Sequence, residues 1–315
     1  MLTIALGGGS TIQQFEDTYL TSKKIKLLPA IKEGYIFAGW EVIDGDSIIS
    51  GDTLTIGTTS TTIKANFMPK VVQAIYSETD NSLMFINDRQ YNVGDTYNGK
   101  TVTAVYTGFA NTGYASSTTA PWYSYRGSIK KVDFIDEIST TSLAYWFYGL
   151  SSCTEMNIKK LNTSNLASLY HTFDGMSSLT SLDLSHFNTS NVGDMAYTFS
   201  DMTALKTLNL GGWKTEKTKY MYSMFRNCSS LTSLDMRNLE LNTNANVNLF
   251  QAFYGCSSLT YINLSKADFV KVNGYYNMFG GVPANASVIV KDATQQAKVT
   301  GTYAKHLTNV TIASW

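Results

Sequence analysis

The chain has 315 residues, 43% of them apolar and only 15% charged, against a usual charged fraction of about 25%. Its 24 basic and 24 acidic residues cancel, which argues against nucleic acid, whose phosphates demand a basic stripe, and against electrostatic docking on anionic lipid. No apolar run reaches the ~18–20 residues of a membrane-spanning helix, so no membrane insertion is expected, and the Met1–Gln14 start lacks the basic region and apolar length of a signal peptide.

Residues 1–69 read as a small β domain. Alternation in Leu2–Ile4, Lys23–Leu27 and Ile36–Val42 is punctuated by Gly7-Gly8-Gly9-Ser10, Asp44-Gly45-Asp46 and Gly51-Asp52. Residues 70–134 contain short strand patterns at Ala74–Ser77, Ser82–Ile86 and Val102–Tyr106, then a Gly/Ser/Thr/Asn-rich loop from Gly108 to Ala120. Ile129–Phe134 reads as a degenerate first repeat behind an N-terminal cap.

From 135 to 282 one phrase recurs. An aromatic turn is followed by Ser-Ser-Leu-Thr and then Leu-x-x-Leu-x-Leu. Its anchors Phe147, Phe173, Phe199, Phe225, Phe253 and Phe279 are spaced 26, 26, 26, 28 and 26. Such a period marks a solenoid whose units hide their apolar side only by stacking on neighbours. The strand triads are Cys153/Met156/Ile158, Leu179/Leu182/Leu184, Leu205/Leu208/Leu210, Leu231/Leu234/Met236 and Leu259/Ile262/Leu264. A short helical or turn segment then carries Leu169, Met195, Met221 and Leu249 inward, four residues before each Phe. The segment 239–249 holds two extra residues, expected as a bulged loop. Residues 283–315 read as a C-terminal cap, with strands at Ser287–Lys291 and Asn309–Ile312 and a short helix over Ala293–Thr300.

The segments Phe-x-x-Cys-Ser-Ser-Leu-Thr at 225–232 and 253–260, with Leu-Asp-Leu-Ser-x-Phe-Asn-Thr-Ser-Asn-Val at 182–192, resemble the BspA-type leucine-rich repeat. Gly34–Trp40 and Ile63–Phe67 resemble the internalin-type B-repeat, a β-grasp-like module that usually acts as a spacer. The expected fold is therefore mainly β with short helices or turns. It comprises a leucine-rich repeat solenoid of about five 26-residue repeats, a small N-terminal β-grasp-like domain, and β caps.

The cysteines Cys153, Cys228 and Cys256 are odd in number and do not form a disulfide framework. Cys228 and Cys256 share one repeat position, so buried thiols are favoured over a bridge. His171, His186 and His306 occupy ordinary polar slots with no metal-ligand spacing. No nucleophile elbow or phosphate loop is present in the sequence, and neither catalysis nor a cofactor is expected.

Two surfaces are candidates for a ligand. One is the outward strand column Asn157, Asp183, Asn209, Asp235 and Asn263. It reads either as a polar ladder of side chains bonding side by side, or as a strip for carbohydrate or protein. The other is the aromatic side around each Phe, with Tyr145, Tyr148, Tyr170, Tyr197, Tyr222, Tyr254 and Tyr276. These rings read either as inter-repeat packing or as a recognition face.

The resemblance implies a non-catalytic adhesion module of a secreted or wall-attached bacterial protein, binding a host or neighbouring-cell protein or glycan. The alternatives are a bacteriophage tail or fibre component that recognises a receptor, and a targeting appendage of a larger secreted enzyme.

Overall fold

A computed structural model describes residues 1–11, 19–110, 114 and 120–314. The loop expected from Gly108 to Ala120 lies largely outside these residues, as do residues 12–18. The chain divides into two compact units. The first is Met1–Val71 with Asn87–Tyr91, and the second is Val72–Ile86 with Asn92–Trp315.

The first unit has two three-stranded sheets. In one, Thr61–Pro69 lies between Leu2–Ala5, to which it is parallel, and Tyr35–Asp44, to which it is antiparallel. In the other, Thr53–Thr55 lies between Lys24–Lys26 and Ile48–Ser50. Alternation delivers Leu2, Leu27, Leu54, Ile56 and Ile63 to one core, with Trp40, Val42 and Ile49 packed against it. The Asp44-Gly45-Asp46 turn has two requirements. Gly45 has φ +97°, and a Cβ there would sit 2.4 Å from the Ser60 carbonyl oxygen. The Asp46 carboxylate accepts the backbone N–H and hydroxyl of both Thr58 and Thr59. The Thr58 hydroxyl leads these bonds in holding the carboxyl well below the usual carboxylate range.

In the second unit, a sheet ordered Ala104–Thr107, Val71–Ser77, Ser82–Asp88, Lys131–Phe134, Glu155–Asn157 passes from antiparallel to parallel pairing. From Lys131 the chain winds into a β-solenoid of about seven turns. The strands pair in parallel at the repeat period, as in Ser181↔Thr207 and Asp183↔Asn209. The period lengthens once, at Ser233↔Tyr261, and the two extra residues are taken up by a bend at 243–245, where the Asn242 side chain accepts from the N–H groups of Asn244 and Ala245. Ser287–Val290 and Asn309–Ile312 continue the same parallel sheet. Between them runs the helix Ala293–Lys298, whose Asp292 N-cap accepts from Gln295 N–H at 3.0 Å.

The six anchoring phenylalanines form a stacked column through the core. Their ring centroids lie 5.6, 5.7, 5.2, 5.6 and 5.2 Å apart, with planes within 19° of parallel. All six are buried. At the N-terminal end, Phe85 stacks on Phe134 at 4.2 Å and packs against Trp122 and Trp146. This cap joins the repeats into one continuous core. The three cysteines are buried and free. The Cys228 and Cys256 thiols contact the carbonyls of Phe199 and Phe225, and burial pushes Cys256 up to about 12.

The segment before each Phe is a series of turns, not a helix. Amides two residues apart reach the next coil. Leu169, His171, Phe173 and Gly175 donate to the carbonyls of Asp194, Ala196, Thr198 and Ser200, and the same set of four recurs in the coils that follow. Of the other amides in this stretch, those of Thr172 and Met176 close turns onto Leu169 and Phe173. A helix would spend the amides beyond its first turn within its own coil.

Two outcomes test this description. Phe199→Ala, in mid-column, is expected to lower the stability of the second unit by about 3–5 kcal/mol in chemical denaturation. The low Asp46 pKa contributes stability that is present above the unfolded carboxylate value of about 3.9 and fades as pH falls toward the folded value. Asp46→Asn should therefore speed hydrogen exchange in Thr61–Pro69 at pH 7 relative to the parent, and the difference should narrow below about pH 4.

Candidate functional site

Each coil turns at corners built from small polar side chains. Asp183, Asn209, Asp235 and Asn263 accept the N–H of Ser185, Gly211, Arg237 and Ser265, each two residues on, at 3.0–3.1 Å. These are Asx turns that close the strand. Among the described residues, side-by-side bonding is found at the first position, where the Asn157 amide donates to Asp133 at 2.8 Å. Asn263 is buried. The column is therefore mainly a row of corner brackets, each using one side-chain oxygen to turn the chain, with Asp183, Asn209 and Asp235 still exposed. The Ser185 N–H holds the Asp183 carboxyl low, and Arg237 does the same for Asp235.

The Asn-Thr-Ser-Asn corners work similarly. Asn162 and Asn188 cap Ser164 and Ser190. The threonines are buried and staple coil to coil. Thr163 accepts from Asn188 N–H, and Thr189 both accepts from Lys214 N–H and donates to its carbonyl. A third set of corners places Ser168, Asp194 and Asn248 as acceptors for Tyr170, Ala196 and Phe250 N–H.

The aromatic side rests on an unusual backbone. The second residue before each Phe has positive φ: Tyr145, His171, Tyr197, Ser223, Gln251 and Asn277, at 52–61°. The second residue after each Phe does too, and is Gly149, Gly175, Asp201, Asn227, Gly255 or Gly281. Left-handed backbone at a Tyr costs on the order of 1–2 kcal/mol, and the inter-coil hydrogen bonds offset it.

These turns build a second ring column outside the phenylalanines. His171 lies between Tyr145 and Tyr197, stacked at 4.8 and 4.3 Å with planes within 10°. Tyr148 and Tyr170 meet it edge-on, and Tyr222 packs edge-on to Tyr197. The His171 Nδ1 lies 2.5 Å from Asp174 Oδ2, with side-chain exposures of 14% and 9%. Burial raises the Asp174 pKa and the His171 contact opposes that. Burial also raises Tyr145 and Tyr222, each with a contribution from Tyr170. His171, expected in an ordinary polar slot, is thus the centre of the cluster.

The structure brings Tyr145, Tyr148, Tyr170, Tyr197 and Tyr222 into this one cluster. Tyr254 stands apart, half-buried over Gly280, where a Cβ would meet its ring at 2.9 Å. Tyr276 is 68% exposed and stacks on Phe250 at 6.1 Å. The His171–Asp174 pair was absent from the sequence reading. Two polar residues three apart in an irregular turn give no recognisable signal. Tyr220 was also missed, because its position carries corner acceptors in neighbouring coils. Among the described residues no group of acidic, histidine or cysteine side chains is placed to hold a metal, and no helix is long and apolar enough to cross a membrane.

Thr189→Val removes a staple of nearly constant shape. It should cost about 1–2 kcal/mol, measured by denaturant unfolding, while Thr189→Ser should retain most of the stability.

The family described as "Mycoplasma protein of unknown function, DUF285" matches residues 141–259 and, overlapping, 209–309. No curated protein matches the chain. The matched segments cover more than half of the sequence and coincide with the stacked coils, so the chain belongs to the DUF285 family of repeat proteins.

Proposed function

We propose that this protein is a non-catalytic binding module that attaches to a protein or glycan surface through the side of its solenoid. The observation that carries the reading is the outer aromatic column, held at repeat spacing on a rigid backbone ladder. Tyrosine and phenylalanine supply large contact area at low entropic cost, and a ladder of coil-to-coil bonds fixes their relative positions before a ligand arrives.

The finer assignment follows the resemblance carried by Phe225–Thr232 and Leu182–Val192. On this reading the coils are BspA-type leucine-rich repeats, the first unit is a B-repeat-like spacer, and the protein works outside the cell. Here the setting is a bacterial surface, with a virion receptor-binding part as the alternative.

The test is binding of the purified full chain to a broad glycan array, to immobilised matrix proteins and to whole cells, alongside general hydrolase assays. Saturable binding to at least one surface, without turnover, is expected. The combined variant Tyr170→Ala, Tyr222→Ala, Tyr276→Ala should lose that binding. Absence of binding to every surface, or turnover of a substrate, would reject the reading.

A further inference from the structure

The outer aromatic column is not uniform along the solenoid. In the first three coils, the rings occupy one another. Both faces of His171 are covered by Tyr145 and Tyr197, and Tyr170 is wedged edge-on against Tyr145 and His171. A ring with both faces taken has little left to offer a ligand. The stack stops at Ser223, which replaces the aromatic residue at the equivalent position. On the coils that follow, rings at neighbouring positions are more exposed, with Phe250 and Tyr276 stacked on each other at 6.1 Å and Tyr220 edge-on to Tyr222. Tyr220 is 49% exposed, Phe250 36% and Tyr276 68%, on three successive coils.

The chemistry changes at the same place. The segments Ser142–Tyr145, Ser168–His171 and Asp194–Tyr197 include a histidine and an aspartate. The segments Tyr220–Ser223, Asn248–Gln251 and Gly274–Asn277 contain no charged residue; they carry aromatic rings with Asn and Gln amides beside them. Gln251 and Asn277 follow Phe250 and Tyr276 directly, and Asn277 is exposed.

We propose that Tyr220, Phe250 and Tyr276, with the Gln251 and Asn277 amides, form a binding subsite for a neutral oligosaccharide. This rests on the reading of the protein as a binding module. An open ring accepts the C–H face of a pyranose, and an amide offers both a donor and an acceptor to sugar hydroxyls. None of the three segments itself carries a cation to pair with a sialylated or sulfated chain, the exposed Lys219 lying just before the first of them. A stable protein partner would need ~20–30 residues on each side and favours Arg and Trp anchors, whereas three rings and two amides suit the footprint of a few sugars.

The test is titration of the full chain with chitohexaose, laminarihexaose and poly-N-acetyllactosamine, with sialylated and sulfated glycans and matrix proteins run in parallel. Binding to at least one neutral oligosaccharide is expected. Phe250→Ala and Tyr276→Ala should each weaken it by about tenfold, while Tyr276→Phe, which keeps the ring, should bind within about twofold of the parent. Both side chains are exposed, so circular dichroism and melting should match the parent. Binding to charged glycans or matrix protein without any neutral oligosaccharide would overturn this assignment and leave the binding-module reading standing. Neutral-glycan binding that survives both alanine variants would overturn the site alone. No binding to any probe would overturn both.

Discussion

The structure depends on how the backbone divides its amides. In the segment around each Phe, four amides two residues apart bond to the next coil, and others close tight turns within their own coil. The division requires left-handed backbone two residues before and two residues after the Phe. Gly, Asn and Asp meet that requirement cheaply at the second place; Tyr and His at the first do not. The coil-to-coil bonds and the buried Phe column together hold those residues in position. Each coil is thus specified by its neighbour, as expected for a repeat array stabilised by nearest-neighbour interfaces.

The low charge of the chain follows from the same geometry. A coil with three corners needs short side chains that accept a nearby backbone N–H, and Asn, Asp and Ser are the residues that do this. Threonine adds staples between coils at Thr163, Thr189 and Thr215. Much of the polar composition is therefore scaffold. The outward column Asp183, Asn209, Asp235 looks like a ligand strip in sequence, and in the structure one oxygen of each of these exposed side chains turns the chain.

Much of the fold was legible in the sequence, for physical reasons. Phe spacing and Leu-x-x-Leu-x-Leu report burial, and burial alternates with a period that a strand imposes. The triads, the shared slot of Cys228 and Cys256, and the extra residues at 239–249 all follow from that. The turn segment was less legible. Leu169 and Phe173 lie four apart, which fits one face of a helix, and only the recurring Gly149, Gly175, Gly255 and Gly281 hinted at left-handed turns. Positive φ at Tyr145 or Tyr197 contradicts local preference, so it is visible only once the neighbouring coil is present. The candidate rings were visible as residue types. The stack of Tyr145, His171 and Tyr197 ends where Ser223 takes the equivalent position, and those ring contacts are visible only in the structure.

The central claim is that the coils share one cooperative ladder. Native-state hydrogen exchange at the amides of Phe173, Phe199 and Phe225 tests it most directly, since each donates to the adjoining coil. A common protection equal to the global unfolding free energy of the second unit is the result this account requires. Separate, smaller opening energies for individual central coils would contradict it.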